Sequence, residues 1–383
     1  MLATMTDSHY SRLPTLAGLA LLLAPAAWAD DRAETDDPGE FPASPIPDIR
    51  DDDFKLKLQK RNWVIVPIPV SNPTLDTGLI VGGAYFYPQT DAQKKVQPAS
   101  VTVAAGFWSS NQSSAFGVAH QSYFSEDKWR IGGIVGHADV KLVLSTPGAG
   151  AGPSVDWLVK GDFFAAGISR KIVGKWYAGI VARYADMEQA FGIDTPSADF
   201  NTSSETVSVG LGINVEYDNR DKPFNSYTGS KFKFSVLTNS EGLGSDDSYL
   251  SYKLSYASYH LVRPSLVLAW EVQGCSKSDQ APLWDACGVD LRGFSATDYL
   301  GKVSASGQVE VRWQFHRKWG AVAFAGSGYH RNSFSEFRER DAIPSYGIGL
   351  RFMVLESQRI NMRLDYGRSN DSDAVYLSVG EAF

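Results

Sequence analysis

The feature that most constrains the fold is an alternation of apolar and polar residues with a period of two, repeated along most of the chain. In residues 206–217, every second residue from Val207 onward is apolar or aromatic, and the positions between them are mostly serine, glycine, asparagine and glutamate. Residues 303–313 and 360–367 follow the same pattern. A period of two over such lengths indicates β-strands with one apolar and one polar face. The sequence therefore predicts an all-β fold.

The longest apolar run in the sequence indicates that the protein is exported. It covers residues 13–29, follows Arg12 and ends in the triplet Ala27-Trp28-Ala29. A basic residue, an apolar run and a small-x-small triplet are typical of a signal peptide, so residues 1–29 are expected to be cleaved off before Asp30. No later apolar stretch approaches the roughly 18 residues of a membrane-spanning helix, so this chain would cross a membrane with strands.

An acidic segment is expected to separate the signal peptide from the strands. From Asp30 to Asp53 there are ten acidic residues against two arginines, with four prolines among them. High net charge combined with proline is typical of disorder. Residues 30–61 are therefore predicted to form a disordered periplasmic leader. Because that segment is shorter than the usual domain of about 50 residues or more, nothing folded is expected before the first strand.

Counting the alternating segments decides between a soluble sandwich, whose core would hold the apolar faces, and a membrane barrel, whose lipid side would hold them. An even number of strands is expected of a bacterial barrel with both ends on the periplasmic side. Residues 62–383 are therefore predicted to form a single 16-stranded antiparallel transmembrane β-barrel with a polar lumen in the outer membrane of a Gram-negative bacterium. The sixteen segments are 62–70, 77–87, 99–108, 112–124, 128–142, 155–170, 174–187, 204–217, 228–239, 248–262, 265–274, 303–316, 319–329, 345–356, 359–368 and 373–383.

Connection lengths agree with this topology, because outer-membrane barrels have short periplasmic turns and longer outer loops. The odd-numbered connections include the long segments 143–154, 188–203, 275–302 and 330–344, whereas the even ones are tight except 88–98 and 218–227. Aromatic residues near strand ends are expected to form girdles at the membrane interfaces. They include Trp63, Trp129, Trp176, Tyr177 and Trp319.

Three groups of residues resemble one family of such barrels. The sixth outer loop contains Leu291, Arg292, Gly293 and Phe294, and the longer inward turn contains Asp218, Arg220 and Asp221 with Gly229 downstream. The last two strands, 363–367 and 375–383, form the third group, and the opening residues 66–83 also fit. Together these residues resemble the bacterial surface antigen (D15-type) barrels, the superfamily of outer-membrane assembly factors and two-partner-secretion translocators. The resemblance covers residues 62–383.

The resemblance implies roles for specific residues. In the family the sixth loop folds back into the lumen, and its arginine docks on acidic residues of nearby strands. A guanidinium offers a rigid fork that suits carboxylates, so Arg292 is expected to pair with Glu310 on the polar face of the next strand. Residues 324–328 lack the acid that the family often has there, which leaves Asp365 as an open candidate for a second partner. The terminal aromatic residue, Phe383, is implied to be an assembly signal.

Cys275 and Cys287 fall in the same loop, and an exported chain permits a disulfide between them. Closing a loop of about a dozen residues would stabilise the fold by roughly 3 kcal/mol. A metal site is not expected, since these cysteines and the distant His260 and His316 do not supply four zinc ligands. No cofactor is predicted either.

Other classes of function find little support. The chain lacks the nucleophile elbow, the phosphate loop and the helical zinc-protease motif. A barrel lipase or protease remains a minor alternative, since His120 and His137 lie among scattered serine and aspartate residues. A formal net charge of −7 disfavours nucleic acid as a partner.

By resemblance, the protein is expected to assist protein or lipid insertion into, or transport across, the outer membrane, through weak pairing of its first and last strands. The alternatives are a porin-like passive channel with the sixth loop as constriction, and a structural surface protein. Expected partners are outer-membrane lipid and lipopolysaccharide, the barrel-assembly machinery for its own insertion, and client polypeptides. Because the family's periplasmic POTRA domains are not found in the sequence, a separate periplasmic partner could take their place.

Overall fold

The computed structural model of the chain describes residues 63–144, 155–195, 198–333, 342–356, 359–370 and 372–383, without the side chains of residues 64 and 193–201. The predicted signal peptide and leader lie outside these ranges. Among the described residues, no helix is long and apolar enough to span a membrane.

Sixteen strands form one closed antiparallel barrel, which confirms the predicted fold class. Each pairs with its neighbour along the chain except that β11 pairs with β14 and β18 returns to β1. The barrel strands are β1 (Trp63–Asn72), β2 (Asp76–Phe86), β3 (Val101–Ser109), β4 (Ser114–Phe124), β5 (Trp129–Leu144), β6 (Val155–Val173), β7 (Trp176–Thr195), β8 (Ala198–Asp218), β9 (Gly229–Asn239), β10 (Tyr249–Arg263), β11 (Leu266–Lys277), β14 (Val303–Gln314), β15 (Trp319–Arg331), β16 (Ile343–Leu355), β17 (Ile360–Arg368) and β18 (Asp373–Val379).

Short elements lie in the connections that the structure describes. The sixth loop, residues 278–302 between β11 and β14, contains a small two-stranded sheet of β12 (Cys287–Gly288) and β13 (Leu300–Gly301). The connection between β2 and β3 contains a one-turn helix, α1 (Asp91–Lys94), and a 3₁₀ turn at Glu241–Leu243 follows β9.

The outward face of the barrel is apolar, as the period of two predicts. Val309, Leu364 and Ile348 are exposed on the outside of β14, β17 and β16, whereas the polar residues between them face inward. Trp63, Trp129 and Trp176 are also exposed, as expected of residues in an interfacial girdle. Tyr177 was wrongly assigned to that girdle: it is buried in the lumen, where its hydroxyl donates to Asp127 Oδ2 at 2.5 Å.

The lumen is not polar throughout, which corrects the sequence prediction for one side of the barrel. Lumen-facing positions of β1 to β7 form an apolar cluster that also takes in Trp284 and Leu300 of the sixth loop. The loop covers these positions and removes them from water, so they behave as a protein core. Members of the cluster from the barrel wall are Val70, Phe107, Ala115, Ala138, Val140, Leu142, Trp157, Val159, Ala185 and Met187.

Several predicted boundaries are wrong. The strand before the sixth loop was expected to end at residue 274, but β11 continues to Lys277 and so contains Cys275. The segment 188–203 was expected to be an outer loop, but β7 continues to Thr195 and β8 begins at Ala198, so the two strands extend as one long hairpin. The last strand was expected to reach Phe383, but β18 ends at Val379. The chain turns at Gly380, whose φ of +91° is rarely adopted by other residues, and residues 380–383 leave the sheet.

Candidate functional site in the barrel lumen

The sixth loop folds into the lumen and is fastened at its base by a disulfide. Cys275 of β11 and Cys287 of β12 are bonded, with their Cα atoms 5.7 Å apart. The pairing suggested by the sequence is therefore present. It divides the loop into a closed section before Cys287 and a section that carries the Arg292 motif.

Arg292 lies at the centre of a buried charge cluster. Its Nη1 donates to Asp365 Oδ2 at 2.8 Å, and its Nη2 donates to Glu310 Oε1 and, at 3.2 Å, to Gln308 Oε1. Arg292 is 5% exposed, and both carboxylates are 0% exposed. The guanidinium carbon lies 3.5 Å from the centroid of the Phe324 ring. Removing one member of such a buried pair typically costs about 3 to 5 kcal/mol, because the partner keeps an uncompensated charge.

Both carboxylates named from the sequence thus contact Arg292. Glu310 comes from β14, the strand directly after the loop, and Asp365 comes from β17. Residues 324–328 of β15 contribute no acid. That segment contributes Phe324 instead, whose ring face attracts the guanidinium. A clasp of two carboxylates and one aromatic ring therefore surrounds the motif arginine.

Glycines allow the loop to lie directly on β16 and β17. A Cβ atom at Gly293, whose φ is +114°, would meet the Arg368 carbonyl carbon at 2.6 Å. A Cβ at Gly349 would meet Asp365 Oδ1 at 1.9 Å, and one at Gly367 would meet the Gly293 nitrogen at 2.8 Å. No other residue type fits these three positions without a shift of the backbone or of the carboxylate.

The cluster continues through further arginines toward the periplasmic end of the lumen. Arg312 Nε donates to Glu310 Oε2 at 2.8 Å. Arg351 donates to Asp365 through Nη1 and to Glu381 Oε2 through Nε, the latter at 2.7 Å. We call this series the charge ladder, which consists of Arg312, Glu310, Arg292, Asp365, Arg351 and Glu381.

The tip of the motif contacts the last strand. Gly293 N donates to the Tyr376 hydroxyl at 2.8 Å, and that hydroxyl donates to the Phe294 carbonyl at 2.9 Å. Ser372, just before β18, donates from its hydroxyl to the Gly293 carbonyl at 2.8 Å. The backbone of the motif is therefore bonded to both the start and the middle of β18.

The residues that follow the motif contact the first hairpin. Ala296 N donates to Thr74 Oγ1 at 2.9 Å, and the Ser295 hydroxyl lies 3.1 Å from the same oxygen. Thr74 lies in the turn between β1 and β2. Since β1 and β18 are neighbours in the closed barrel, the sixth loop holds both sides of their junction from inside.

That junction, which we call the seam, is the least extensively paired one in the barrel. Its register is defined by one residue pair, Ser71 opposite Leu377, whereas β17 and β18 align from Met362 opposite Val379 to Arg368 opposite Asp373. Pro67 and Pro69 remove two N–H donors from β1, and β18 is only 7 residues long. A cavity of about 290 Å³ lies behind the seam, lined in part by Val70, Leu291, Arg363 and Tyr376.

A second ionic contact anchors the first section of the loop. Asp285 Oδ2 lies 2.6 Å from Lys277 Nζ and 2.9 Å from Arg183 Nη2, and it accepts from the Tyr249 hydroxyl at 3.0 Å. Burial raises the pKa of this loop carboxyl, but Lys277 and Arg183 outweigh that effect and hold the pKa below its usual range. Asp285 is therefore ionised and paired within the lumen.

The inward turn after β8 is a compact ionic structure. Arg220 donates from Nε and Nη2 to the two oxygens of Asp218, at 3.0 and 2.9 Å. Asp221 Oδ1 accepts from the Tyr227 backbone N at 2.9 Å. Gly229 has a φ of +97°, and a Cβ there would meet the Asn219 carbonyl oxygen at 2.6 Å. All four turn residues named from the sequence therefore shape this turn.

Phe383 does not end the last strand, but lies in the lumen. Its ring centroid is 6.2 Å from that of Tyr259 and 5.1 Å from the guanidinium carbon of Arg312. Arg312 Nη2 also donates to the Phe383 backbone oxygen at 3.2 Å. Its role as an assembly signal stays a prediction.

Sequence reasoning missed several members of the site. Arg312 carried a usable signal, because it is two residues from Glu310 and so shares the lumen face of β14. The alternation along their strands places Arg351 and Tyr376 on the lumen face, but nothing in the sequence indicated that they contact the loop. Nothing in the sequence indicated a role for Glu381, because it was predicted to lie in the last strand, and that strand ends before it. Within the described residues, no group of three His, Cys, Asp or Glu side chains could hold a metal ion.

The fold and the loop define a class: an outer-membrane barrel whose sixth loop binds the lumen through an arginine. The sequence model of the Omp85 superfamily domain matches residues 174–383, more than half of the chain. The chain therefore belongs to the Omp85 superfamily, a superfamily of outer-membrane assembly and translocation barrels. No curated protein matches the sequence significantly.

Solved structures share the fold at low sequence identity. BamA from Haemophilus ducreyi lacking POTRA domains 1–3 aligns with a TM-score of 0.61 at 12% identity, over 84% of this chain and 70% of that one. CdiB from Acinetobacter baumannii aligns at 0.55 and 12%, over 84% and 60%. CdiB from Escherichia coli aligns at 0.54 and 10%, over 84% and 68%. This chain thus spans less than two thirds of the A. baumannii protein.

Proposed function

We propose that this barrel assists the insertion of protein or lipid into the outer membrane, or transport across it, by opening at the seam between β1 and β18. The observation that carries the proposal is the position of the sixth loop. It is bonded to Thr74 on one side of the seam and to Tyr376 on the other, and the two strands themselves align at a single residue pair. Control of the seam therefore lies with the loop.

An open seam would expose the N–H and C=O groups of two strand edges within the membrane. Such edges pair readily with an added strand, which provides a template for an entering polypeptide. They also disturb the surrounding lipid, because unpaired backbone groups are costly in hydrocarbon. Few hydrogen bonds are lost on opening, since β18 is short and β1 contains two prolines.

The proposed partners follow from this mechanism. Client polypeptides would meet the strand edges, and outer-membrane lipid and lipopolysaccharide would surround them. The barrel-assembly machinery would insert the protein itself, and a separate periplasmic protein would deliver clients to the barrel. We propose no catalytic role and no cofactor.

Locking the seam is expected to abolish the proposed activity. Ser71→Cys combined with Leu377→Cys places two cysteines at directly opposed positions, where a disulfide can form. In vesicles of outer-membrane lipid, the unlocked protein should accelerate both the folding of an added unfolded barrel and the exchange of fluorescent lipid between leaflets. The oxidised variant should fall to the rates of empty vesicles and recover on reduction.

The matched control shares one of the two substitutions. Leu364→Cys with Leu377→Cys links β17 to β18 at an equivalent pair and leaves the seam free. This variant should keep its activity when oxidised. Full activity of the locked seam variant would refute opening at this site, and the two readouts separate a role in protein insertion from one in lipid transfer.

The passive channel is the alternative that the lumen disfavours. The sixth loop packs against the apolar wall through Trp284 and Leu300, so the described part of the lumen is filled on that side. We expect the purified protein to give little steady conductance in planar bilayers. A large, constant conductance from the unmodified protein would instead support a porin-like function.

A further inference from the structure

The turn after β8 reaches across the periplasmic mouth of the barrel. Arg359, in the turn between β16 and β17, donates to Asp221 Oδ2 at 2.5 Å, and its guanidinium carbon lies 4.0 Å from the Tyr227 ring centroid. The Tyr227 hydroxyl donates to Gln314 Oε1 at 2.7 Å, at the end of β14. In the barrel order β9 lies three places from β14, five from β16 and six from β17, so this turn reaches across the opening.

Residues 380–383 cross the same region from the seam. After Gly380, Glu381 is held by Arg351 and by Asn361, whose Nδ2 donates to Glu381 Oε1 at 2.6 Å. The Phe383 ring then reaches Tyr259 on the lumen face of β10. The segment therefore runs from the last strand toward the opposite side of the barrel.

We propose that residues 219–228 and 380–383 together form a periplasmic gate, and that the charge ladder couples this gate to the sixth loop, so that release of either one loosens the other. This inference rests on the proposed function only for what the coupling would be used for. Coupling of this kind would let contact at the periplasmic mouth weaken the loop's hold on the seam. The coupling itself is a property of the barrel and needs no client.

Two arginines connect the gate to the sixth loop. Each of them binds a residue of the gate and also one of the carboxylates that hold Arg292. Arg351 donates from Nε to Glu381 and from Nη1 to Asp365. Arg312 donates from Nη2 to the Phe383 backbone oxygen and from Nε to Glu310. Glu310 and Asp365 are the two carboxylates that hold Arg292.

Opening the gate would change the environment of these arginines. Water would enter the mouth, and Arg351 would lose one of its two carboxylates and gain freedom to move toward solvent. The contact with Asp365 would weaken, and the hold of that carboxylate on Arg292 would change with it. Because the ladder is buried and contiguous, water can reach its inner members only after the members at the periplasmic end have moved. The effect is therefore transmitted along the ladder and not absorbed locally.

The test places a reporter at one end and a substitution at the other. Ser295→Cys reports the loop in the purified barrel, with the native disulfide kept oxidised and a water-soluble maleimide as probe. Glu381→Gln keeps the size and the hydrogen bond to Asn361 but removes the charge that holds Arg351. We expect the labelling rate at Ser295→Cys to rise about five- to tenfold, in the range of ordinary coupling between sites.

Reciprocity supplies the second measurement. With Ala382→Cys as reporter, Arg292→Ala should raise labelling of the gate by a similar factor, since coupling acts equally in both directions. Asn361→Ala removes a neutral contact to Glu381 and should give a smaller rise at Ser295→Cys. Glu126→Gln is the control, because it removes a charge from another periplasmic turn whose exposed ion pair with Lys128 is not part of the ladder.

Every variant is first checked for the heat-dependent gel shift of a folded barrel, and Asn361→Ala replaces Glu381→Gln if the latter does not fold. Unchanged labelling at both reporters would overturn the inference, as would an equal rise with Glu126→Gln. Because no client or vesicle is present, this outcome is independent of the seam-lock experiment. The gate can be coupled to the loop even if the seam never opens, and the reverse also holds.

Discussion

Replacing Arg292 with alanine is expected to release the sixth loop from the lumen. The change removes the cation that Glu310 and Asp365 share. Arg312 and Arg351 still pair with these carboxylates, so we expect a cost at the lower end of the usual range, about 3 kcal/mol. Labelling of Ser295→Cys should then rise on the order of a hundredfold, because each 1.4 kcal/mol is about a factor of ten. Arg292→Lys should recover only part of the loss, since an ammonium cannot bind two carboxylates and lie flat on Phe324.

Two further variants separate the clasp from a general effect of charge. Glu310→Ala should loosen the loop in the same direction, and the Arg292→Ala, Glu310→Ala double variant should be no worse than the worse single one, because both remove one interaction. Arg263→Ala removes an exposed arginine at a periplasmic strand end and should leave labelling unchanged. Additive effects of the two clasp substitutions would mean that Arg292 and Glu310 act independently.

Replacing Asp285 with asparagine is expected to destabilise the first section of the same loop to a comparable extent. Lys277 and Arg183 would keep two positive charges in the lumen without their carboxylate, which again costs about 3 to 5 kcal/mol. Asparagine preserves the shape and can still accept from Tyr249, so the loss measures charge and not packing. Protease cleavage between Cys275 and Cys287 in the folded protein is the readout, and it should become rapid.

The same loop provides a control of the same residue type. Asp279 pairs with Lys302 at 2.6 Å, but its side chain is 90% exposed. An exposed pair typically gives about 0 to 1 kcal/mol, so Asp279→Asn should leave cleavage nearly unchanged. Similar cleavage of both variants would show that the buried contacts of Asp285 are not what holds this section in place.

The fold could be predicted from local patterns because a membrane barrel repeats one rule. Each strand needs an apolar outward face, and the turn residues between strands are polar or glycine-rich. The alternation in segments such as 303–313 and 360–367 is therefore enough to predict strands. Strand ends beyond the bilayer follow no such rule. The extension of β7 and β8 is set by their pairing with each other and by packing of β7 against β6, where Trp157 stacks on Phe191.

Within the site, what could be predicted was the part that a family motif or strand parity determines. Arg292 came from the motif, and Glu310 and Asp365 came from their inward positions. The apolar lumen wall could not be predicted, because Val140 and Trp157 look the same in sequence whether they face lipid or a buried loop. The contact between Arg351 and Glu381 depends on Gly380, where the chain turns inward. The conformation of a single glycine near the end of a strand cannot be predicted from the sequence.

The apolar lumen wall has a consequence for how this barrel is made. Until Trp284 and Leu300 are in place, the apolar cluster on the inner faces of β1 to β7 is exposed to water, so an open sheet of these strands carries apolar side chains on both faces. Strands β1 to β7 precede the loop in the chain, and the strand that closes the cylinder follows it. We therefore expect the loop to dock while the sheet is still open. The cylinder then closes around its own interior, and the last hydrogen bonds to form are those between the first strand and the last.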